Sequence, residues 1–323
     1  MKLKHSVPWF QGEQSRDHVD IPVWKLGLQG GLYTLLPPRT FRRVKYFVQF
    51  MSFPRSGHSL IGSLLDAHPR AIISHELDTM GLIKKNLPER SIYGLIKKNS
   101  KEFTEHGRFW NGFSYTVPKQ PHGHSDELRV IGDKKGDWAV RWCDKDPPLL
   151  SRLRTRFKAT PRWLLVTRNP MDNIATLSLR KNRTYDKLRI NIQSSENFKT
   201  ELKRQQESGG ISAEARDDMI SDYGNLCSTI SKMRENIPQN ELLHIVYENF
   251  CFNPEKELAR ICDFLEIDTQ ADYLKDSASI VRPTLNKSRN RVIWTDRQLE
   301  QVTRIVKKHE FLQCYAPELE LNG

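Results

Sequence analysis

The chain has 323 residues, 37% of them hydrophobic, which is enough to bury a full core. Its formal net charge of +12 indicates anionic partners, but no helix-turn-helix, zinc-finger or RNA-binding aromatic signature occurs, so nucleic acid is not a predicted partner. The five cysteines include no Cys-x-x-Cys pair and no zinc-type His pair accompanies them, which argues against a disulfide scaffold and predicts no metal.

The N-terminal stretch, residues 1–43, has no strong hydrophobic periodicity and a break at Gly30-Gly31, so it predicts an irregular layer or arm. Its apolar part, residues 21–36, contains Lys25, Gln29 and three glycines, so it is too short and too polar for a transmembrane helix. Residues 1–10 lack the pattern of a signal peptide. The sequence therefore predicts no transmembrane segment and a cytoplasmic protein, since a Golgi-lumenal one would need an N-terminal anchor in addition to this chain.

The first candidate site lies between a predicted buried strand, residues 44–50, and a predicted helix, residues 61–65. The connecting sequence is Ser-Phe-Pro-Arg-Ser-Gly-His-Ser-Leu, residues 52–60. Small residues allow a tight turn, after which backbone N–H groups and the helix dipole favour a phosphate-sized anion. Arg55 adds a fixed positive charge and Gly57 the unusual backbone angles. The other predicted ligands in this loop are Ser56, His58, Ser59 and Leu60.

This loop departs from the kinase pattern G-x-x-x-x-G-K-[ST] at two positions. Ser52 stands at the first Gly position and His58 at the Lys position. The loop therefore favours a nucleotide anion bound by arginine and backbone, without magnesium. A nucleotide-dependent kinase or NTPase of the P-loop class stays the alternative.

A second anion site is predicted where another buried strand, residues 163–167, ends in Arg168. Pro170 stands where a helix begins, and Thr176 lies two turns further on. An arginine and a hydroxyl placed in this way can hold a second phosphate. Without the first loop, the better interpretation would be a surface arginine before a helix cap.

Together the two loops resemble those of sulfotransferases that use 3′-phosphoadenosine 5′-phosphosulfate (PAPS). In that family P-[KR]-S-G-[TS]-[TS] holds the 5′-phosphosulfate, and an Arg followed eight residues later by Ser holds the 3′-phosphate. Residues 54–59 match the first pattern, with His58 in place of Thr or Ser, and residues 168–176 match the second, with Thr176 in place of Ser. The resemblance implies a P-loop NTPase-like α/β fold of three layers, with a central parallel sheet flanked by helices in one domain over residues 44–323. It also implies PAPS as the donor and no metal.

Further stretches resemble the tyrosylprotein and carbohydrate branches of this family. The resemblance assigns Glu76 as the general base and implies further contacts to the nucleotide. Those contacts are Arg180, Tyr247 and the basic run before Trp294, namely Lys287, Ser288, Arg289 and Arg291. Each has a plainer interpretation as a solvated charge or a half-buried strand residue.

A lysine should stabilise the leaving oxygen together with Arg55, and the resemblance implies in-line transfer. Lys134, at the end of a short apolar strand, is the predicted catalytic lysine, with Lys135 and Lys145 as alternatives. No histidine stands where the small-molecule branch has its base, which argues against that branch.

The acceptor site is expected from an insert at residues 77–128 and a possible cover at residues 191–221. The aromatic cluster at residues 109–115 either contacts the acceptor or packs the insert onto the core. The resemblance implies a hydroxyl acceptor on a glycan, a peptide tyrosine or a small molecule, in preference to an amine. A protein that binds PAP, the 3′,5′-bisphosphate product, without catalysis is a further alternative.

Overall fold

The computed structural model describes residues 23–34, 40–111, 113–125, 127–182 and 213–317. A parallel five-stranded sheet in the order β2-β5-β1-β6-β8 forms the centre of these residues. Its strands are β1 (Tyr46–Ser52), β2 (Ala71–Ser74), β5 (Val130–Asp133), β6 (Thr160–Thr167) and β8 (Leu242–Val246). Two short pairs are added: β3 (Phe109–Trp110) with β4 (Phe113–Ser114), and β7 (Ala213–Glu214) with β9 (Val292–Ile293).

Helices cover both faces of the sheet. Those described are α1 (Val23–Thr34), α2 (His58–Asp66), α3 (Thr79–Lys84), α4 (Glu89–Glu105), α5 (Gly136–Lys145), α6 (Leu149–Arg156), α7 (Pro170–Lys181), α8 (Asp217–Glu235), α9 (Tyr247–Phe252), α10 (Pro254–Phe264), α11 (Ala271–Ser279) and α12 (Asp296–Lys308). Short 3₁₀ segments occur at Thr40–Arg43, Gln239–Glu241, Ser288–Arg291 and Glu310–Tyr315.

The apolar residues of the strands divide between two cores. Phe47 and Met51 of β1 pack with α4 to α8 and α12, whereas Val48 and Phe50 pack with α2 and α9 to α11. Side chains alternate between the faces of a strand, so a strand covered on both faces is apolar throughout. The three-layer α/β fold predicted from the sequence is confirmed.

The strand order places β1 at the point where the chain reverses direction across the sheet. β1 pairs in parallel with β5 on one side and with β6 on the other. The carboxyl ends of all three strands therefore meet at one edge of the sheet, which is where open α/β sheets bind ligands. Both predicted anion loops follow these strand ends.

Part of the N-terminal stretch expected to be irregular is helical in the structure. A Cβ added to Gly30 of α1 would lie 2.2 Å from the carbonyl oxygen of Ser91, and one added to Gly94 of α4 would lie 1.9 Å from that of Gly30. Gly30, interpreted from the sequence as part of a break, and Gly94 thus let α1 approach α4 closely. In the described ranges no helix is both long and apolar enough to cross a bilayer.

The insert and the possible cover are described unequally. The insert at residues 77–128 contains α3, α4 and the hairpin β3–β4. Of the possible cover at residues 191–221, the part up to residue 212 lies outside the described residues, and the rest forms β7 and the start of α8.

Candidate active site

The first anion loop is strained where the sequence predicted a tight turn. Arg55 has φ 71° and Gly57 has φ 92°, both in the left-handed region, and α2 begins at the next residue, His58. A Cβ on Gly57 would lie 2.1 Å from the ring of Tyr247, so a side chain is excluded there. The loop therefore presents a helix N-terminus with Arg55 beside it and Tyr247 packed against it.

His58 stands where a kinase of the P-loop class has its lysine. Its side chain is 5% exposed, and its Nδ1 lies 3.2 Å from Ser56 Oγ. Burial, reinforced by the nearby Lys134, lowers the pKa of His58 to about 3. The imidazole is therefore neutral at physiological pH and adds no positive charge to the loop.

The second anion loop is joined directly to the first. Arg168 Nη1 donates to the backbone oxygen of Arg55 at 3.3 Å and to Thr176 Oγ1 at 3.4 Å. Its Nη2 donates to the backbone oxygen of Asn286 at 2.7 Å. One guanidinium thus bridges the loops after β1 and β6 and the late basic segment.

The segment 287–291 closes the same region from the other side. Ser288 is fully buried and its Oγ lies 3.0 Å from Thr176 Oγ1 and accepts from Arg291 Nη2 at 3.0 Å. Arg289 N donates to Asp172 Oδ1 at 2.9 Å, which fixes this segment to α7. Arg291 Nη1 is buried and has no hydrogen-bond partner among the described residues. A buried guanidinium nitrogen without an acceptor fits a site that receives an anion.

Three of the predicted nucleotide contacts take no part in this arrangement. Lys287 and Arg180 have exposed side chains, and Arg180 follows Thr176 by one turn of α7. Leu60 is half-buried on α2. Their predicted roles stay predictions.

The predicted base and the predicted lysine are in contact. Glu76 follows β2 with φ 64°, again in the left-handed region. Lys134 Nζ donates to Glu76 Oε1 and to Ser59 Oγ, the latter at 2.9 Å. Lys135 Nζ lies 3.2 Å from Glu76 Oε2. The carboxylate therefore stands beside the first anion loop, connected to it by Lys134.

The two lysines set the charge of Glu76. Burial raises the pKa of Glu76, but Lys134 and then Lys135 outweigh it and hold the pKa well below its usual range. Burial lowers the pKa of Lys134, and Glu76 opposes that change. At neutral pH this geometry favours a carboxylate beside ammonium groups.

Asp133, the last residue of β5, holds the backbone around Glu76. It is fully buried and accepts from Ser74 Oγ at 2.9 Å, Leu77 N at 3.3 Å and Thr79 N at 2.8 Å. Because these donors flank Glu76 on both sides, Asp133 fixes the loop that carries the base. Burial raises the pKa of Asp133.

Lys145, the alternative to Lys134 as the catalytic lysine, does not lie beside Glu76. It is exposed at the last position of α5, with its Nζ 5.8 Å from the centre of the Trp142 ring. Lys134 precedes the other end of that helix, so the two lysines occupy separate regions.

The hairpin β3–β4 of the insert packs onto the first anion loop. With its amide oriented toward the donors, Asn111 Oδ1 accepts from Trp110 Nε1 at 2.6 Å and from Arg55 Nη1 at 3.2 Å. Trp110 is 8% exposed, lies edge-on to His75 at 5.0 Å, and has Lys134 Nζ 5.9 Å from the centre of its ring. This supports the interpretation that the cluster packs the insert onto the core, and it brings the hairpin to the edge of the site.

Sequence reasoning missed Asp133, Asn111 and Asp172. The sequence did indicate a role for Asp133, because it ends the apolar run Val-Ile-Gly-Asp. An acidic residue at the end of a buried strand needs hydrogen-bond donors around its carboxylate. Asn111 and Asp172 gave no such signal, because their partners lie 56 and 117 residues away in sequence. Within the described ranges, no group of three or more His, Cys, Asp or Glu side chains is arranged to hold a metal ion.

The model of the sulfotransferase family matches residues 48–271, a range that contains both anion loops and the Glu76–Lys134 pair. The chain belongs to the sulfotransferase family. The match does not specify the tyrosylprotein or carbohydrate branch, which stays a prediction for this sulfotransferase. No curated protein matches the chain.

Solved sulfotransferases resemble the chain at low identity. The sulfotransferase domain of the Synechococcus PCC 7002 olefin synthase is 14% identical with a TM-score of 0.46, covering 82% of this chain and 94% of that one. STF9 from Mycobacterium avium is 12% identical with a TM-score of 0.45, covering 94% and 86%. Mouse SULT7A1, solved in complex with PAP, is 12% identical with a TM-score of 0.40, covering 93% and 96%.

Proposed function

We propose that this sulfotransferase moves a sulfuryl group from PAPS to a hydroxyl, with Glu76 as the general base. The observation that carries the proposal is the position of Lys134, whose Nζ donates both to Ser59 on the first anion loop and to Glu76. One lysine thus adjoins the place for the donor's phosphates and the carboxylate that would receive a proton. A kinase-like site would instead need a cation in place of the buried, neutral His58.

The donor would be held by two groups of residues whose chemistry fits its two phosphate ends. Arg55 and the N-terminus of α2 suit the 5′-phosphosulfate, and Arg168, Thr176 and Ser288 suit the 3′-phosphate. The unpartnered Arg291 Nη1 supports an anion at the second position. PAPS, when bound, supplies the sulfuryl group and a bisphosphate leaving group.

Three side chains carry the chemistry in this proposal. The Glu76 carboxylate accepts the proton of the acceptor hydroxyl, which makes the oxygen a better nucleophile. Lys134 and Arg55 neutralise the negative charge that grows on the leaving phosphate. The proposed acceptor is a hydroxyl on a glycan, a tyrosine peptide or a small molecule, and an amine is the second choice. The cytoplasmic location and the single domain over residues 44–323 stay predictions.

The first test is calorimetric titration with PAP and, in parallel, with ATP and magnesium. We expect PAP binding and negligible ATP binding. A preference for magnesium-ATP would contradict the proposal and favour a nucleotide-dependent kinase or NTPase of the P-loop class.

The second test compares Glu76→Gln with Glu255→Gln, which changes an exposed carboxylate on α10. Transfer of label from [³⁵S]PAPS to a panel of hydroxyl acceptors should fall by about 10² to 10⁴ only in Glu76→Gln, because general acid–base catalysis contributes that much. PAP affinity should be retained in both, because the residues proposed to hold the phosphates are unchanged. Thermal melting verifies that Glu76→Gln folds, since it removes the partner of two buried lysines. Wild-type protein that binds PAP and transfers nothing would be a non-catalytic PAP-binding protein.

A further inference from the structure

Two consecutive buried lysines contact one carboxylate through different oxygens. Lys134 donates to Glu76 Oε1, whereas Lys135 Nζ lies 3.2 Å from Oε2. The side chains of the two lysines are 1% and 2% exposed. Such burial is costly for an ammonium group, so each needs its partner.

The surroundings of the two lysines differ. The Cβ of Lys134 lies against α2, where a Cβ on Gly62 would come within 2.8 Å of it, and Lys134 Nζ reaches Ser59. Lys135 turns toward α5, with its Nζ 5.8 Å from the centre of the Trp138 ring. Lys134 is therefore associated with the donor loop, and Lys135 with the opposite side of Glu76.

We propose that Lys135 is a positioning residue that holds Glu76 through Oε2, so that Oε1 is left to accept the proton when Lys134 engages the donor. This inference rests on the proposed function. The two lysines then have different roles: Lys134 stabilises the leaving group, and Lys135 orients the base Glu76.

The charges around Glu76 explain why a second lysine matters. The titratable groups that face it are Lys134, Lys135, His75, His58, Tyr115, Asp133 and Asp137. Burial lowers the pKa of both histidines and keeps them neutral, so the two lysines are the cations among these named groups. If Lys134 turns to the donor and Lys135 is absent, Glu76 loses both of its ion-pair partners and its pKa rises.

Removal of Lys135 should change the pH dependence of catalysis in one direction. A base works only when it is ionised, and the lysines hold the pKa of Glu76 well below its usual range. Removing Lys135 raises that pKa and moves the acid limb of the activity profile to higher pH. A lysine with a merely structural role would leave the position of this limb unchanged.

The experiment measures kcat/KM for transfer from [³⁵S]PAPS against pH in Lys135→Met, Lys135→Arg and Lys134→Met. Lys256→Met, which removes an exposed charge on α10, is the matched control. In Lys135→Met the acid limb should move up by roughly one to three pH units, the usual effect of an opposite charge at this distance, with the plateau retained within about tenfold. Lys135→Arg should restore the limb, whereas Lys134→Met should lower the plateau itself.

A second readout does not depend on transfer. The carboxyl ¹³C signal of Glu76, assigned by its loss in Glu76→Gln, is titrated in wild type, Lys135→Met and Lys135→Gln, and thermal melting and PAP affinity verify folding. We expect the titration of Glu76 to move to higher pH in both Lys135 variants. A titration or an acid limb that coincides with wild type would overturn the inference. Wild-type enzyme that transfers no label would overturn the proposed function instead, so the two failures are distinguishable.

Discussion

The buried ion pair between Arg108 and Asp66 gives the sharpest prediction about stability. Arg108 Nη1 donates to Asp66 Oδ2 at 2.7 Å and its Nη2 donates to Ser63 Oγ at 3.0 Å, and the two charged side chains are 2% and 1% exposed. In Arg108→Met, Asp66 would keep its bonds from Ser100 Oγ and Ile73 N, both at 2.7 Å, but its charge would have no cation. Breaking such a buried pair costs about 3 to 5 kcal/mol.

The loss of stability in Arg108→Met should depend on pH, because protonation of Asp66 removes its unpaired charge. Burial raises the pKa of Asp66 and Arg108 opposes that rise, so Arg108→Met raises it further. A folded-state pKa above the unfolded value means that stability is lost as pH rises through the folded pKa. The deficit of Arg108→Met relative to wild type should therefore be largest above the folded-state pKa of Asp66 in the variant and shrink as the pH falls below it.

Urea unfolding at several pH values measures this deficit. Asp66→Asn in the Arg108→Met background should recover at least about half of it, because the amide keeps an acceptor for Ile73 N without the charge. The control is Lys101→Met, whose ion pair with Glu105 on α4 is more than half exposed on both sides and should cost about 0.5 kcal/mol or less. A deficit in Arg108→Met below about 1 kcal/mol, or one that is the same at every pH, would refute the reasoning.

Two further predictions concern the anion loops. Arg55→Ala and Arg168→Ala should each weaken PAP binding at least about a hundredfold in calorimetry, because each removes a charge-assisted contact to a phosphate, and unchanged affinity in both would refute the site. Gly57→Ala should abolish PAP binding, because φ is 92° and the added Cβ would lie 2.1 Å from the Tyr247 ring. Adding Tyr247→Ala should relieve this clash but not the backbone strain, so full recovery of PAP affinity in the double variant would contradict the explanation.

Two central strands of the sheet and the two loops that follow them were predictable because their signals are local. Residues 44–50 and 163–167 are apolar runs that end in small or charged residues, and the structure places β1 at Tyr46–Ser52 and β6 at Thr160–Thr167. The boundaries differ by two or three residues, because Ser52 and Thr160 complete the ladders without being apolar. The fold class came from the resemblance of these two loops to those of the sulfotransferases, because two apolar runs alone do not define a five-stranded sheet.

The rest of the site depends on contacts that sequence spacing does not reveal. The choice between Lys134, Lys135 and Lys145 was open in the sequence. The turn after β5 brings Lys134 and Lys135 to Glu76, whereas Lys145 lies exposed at the far end of α5. The helix α1 was missed because Gly30 looked like a break, whereas its function is to let Gly94 of α4 approach. A glycine that ends a helix and one that packs a helix have the same sequence signal.

The hairpin β3–β4 is attached to both ends of α2. At the N-terminal end Asn111 contacts Arg55, and at the C-terminal end Arg108, just before the hairpin, pairs with Asp66, the last residue of α2. The helix whose N-terminus forms the donor loop therefore also fixes the part of the insert nearest to Glu76. Because Asn111 of the hairpin contacts Arg55, a change in the hairpin alters the surroundings of Arg55. Substitutions in the hairpin should therefore alter PAP affinity as well as the choice of acceptor under the proposed function. Under the proposed function, α2 would therefore couple donor binding to the part of the insert from which the acceptor site is expected.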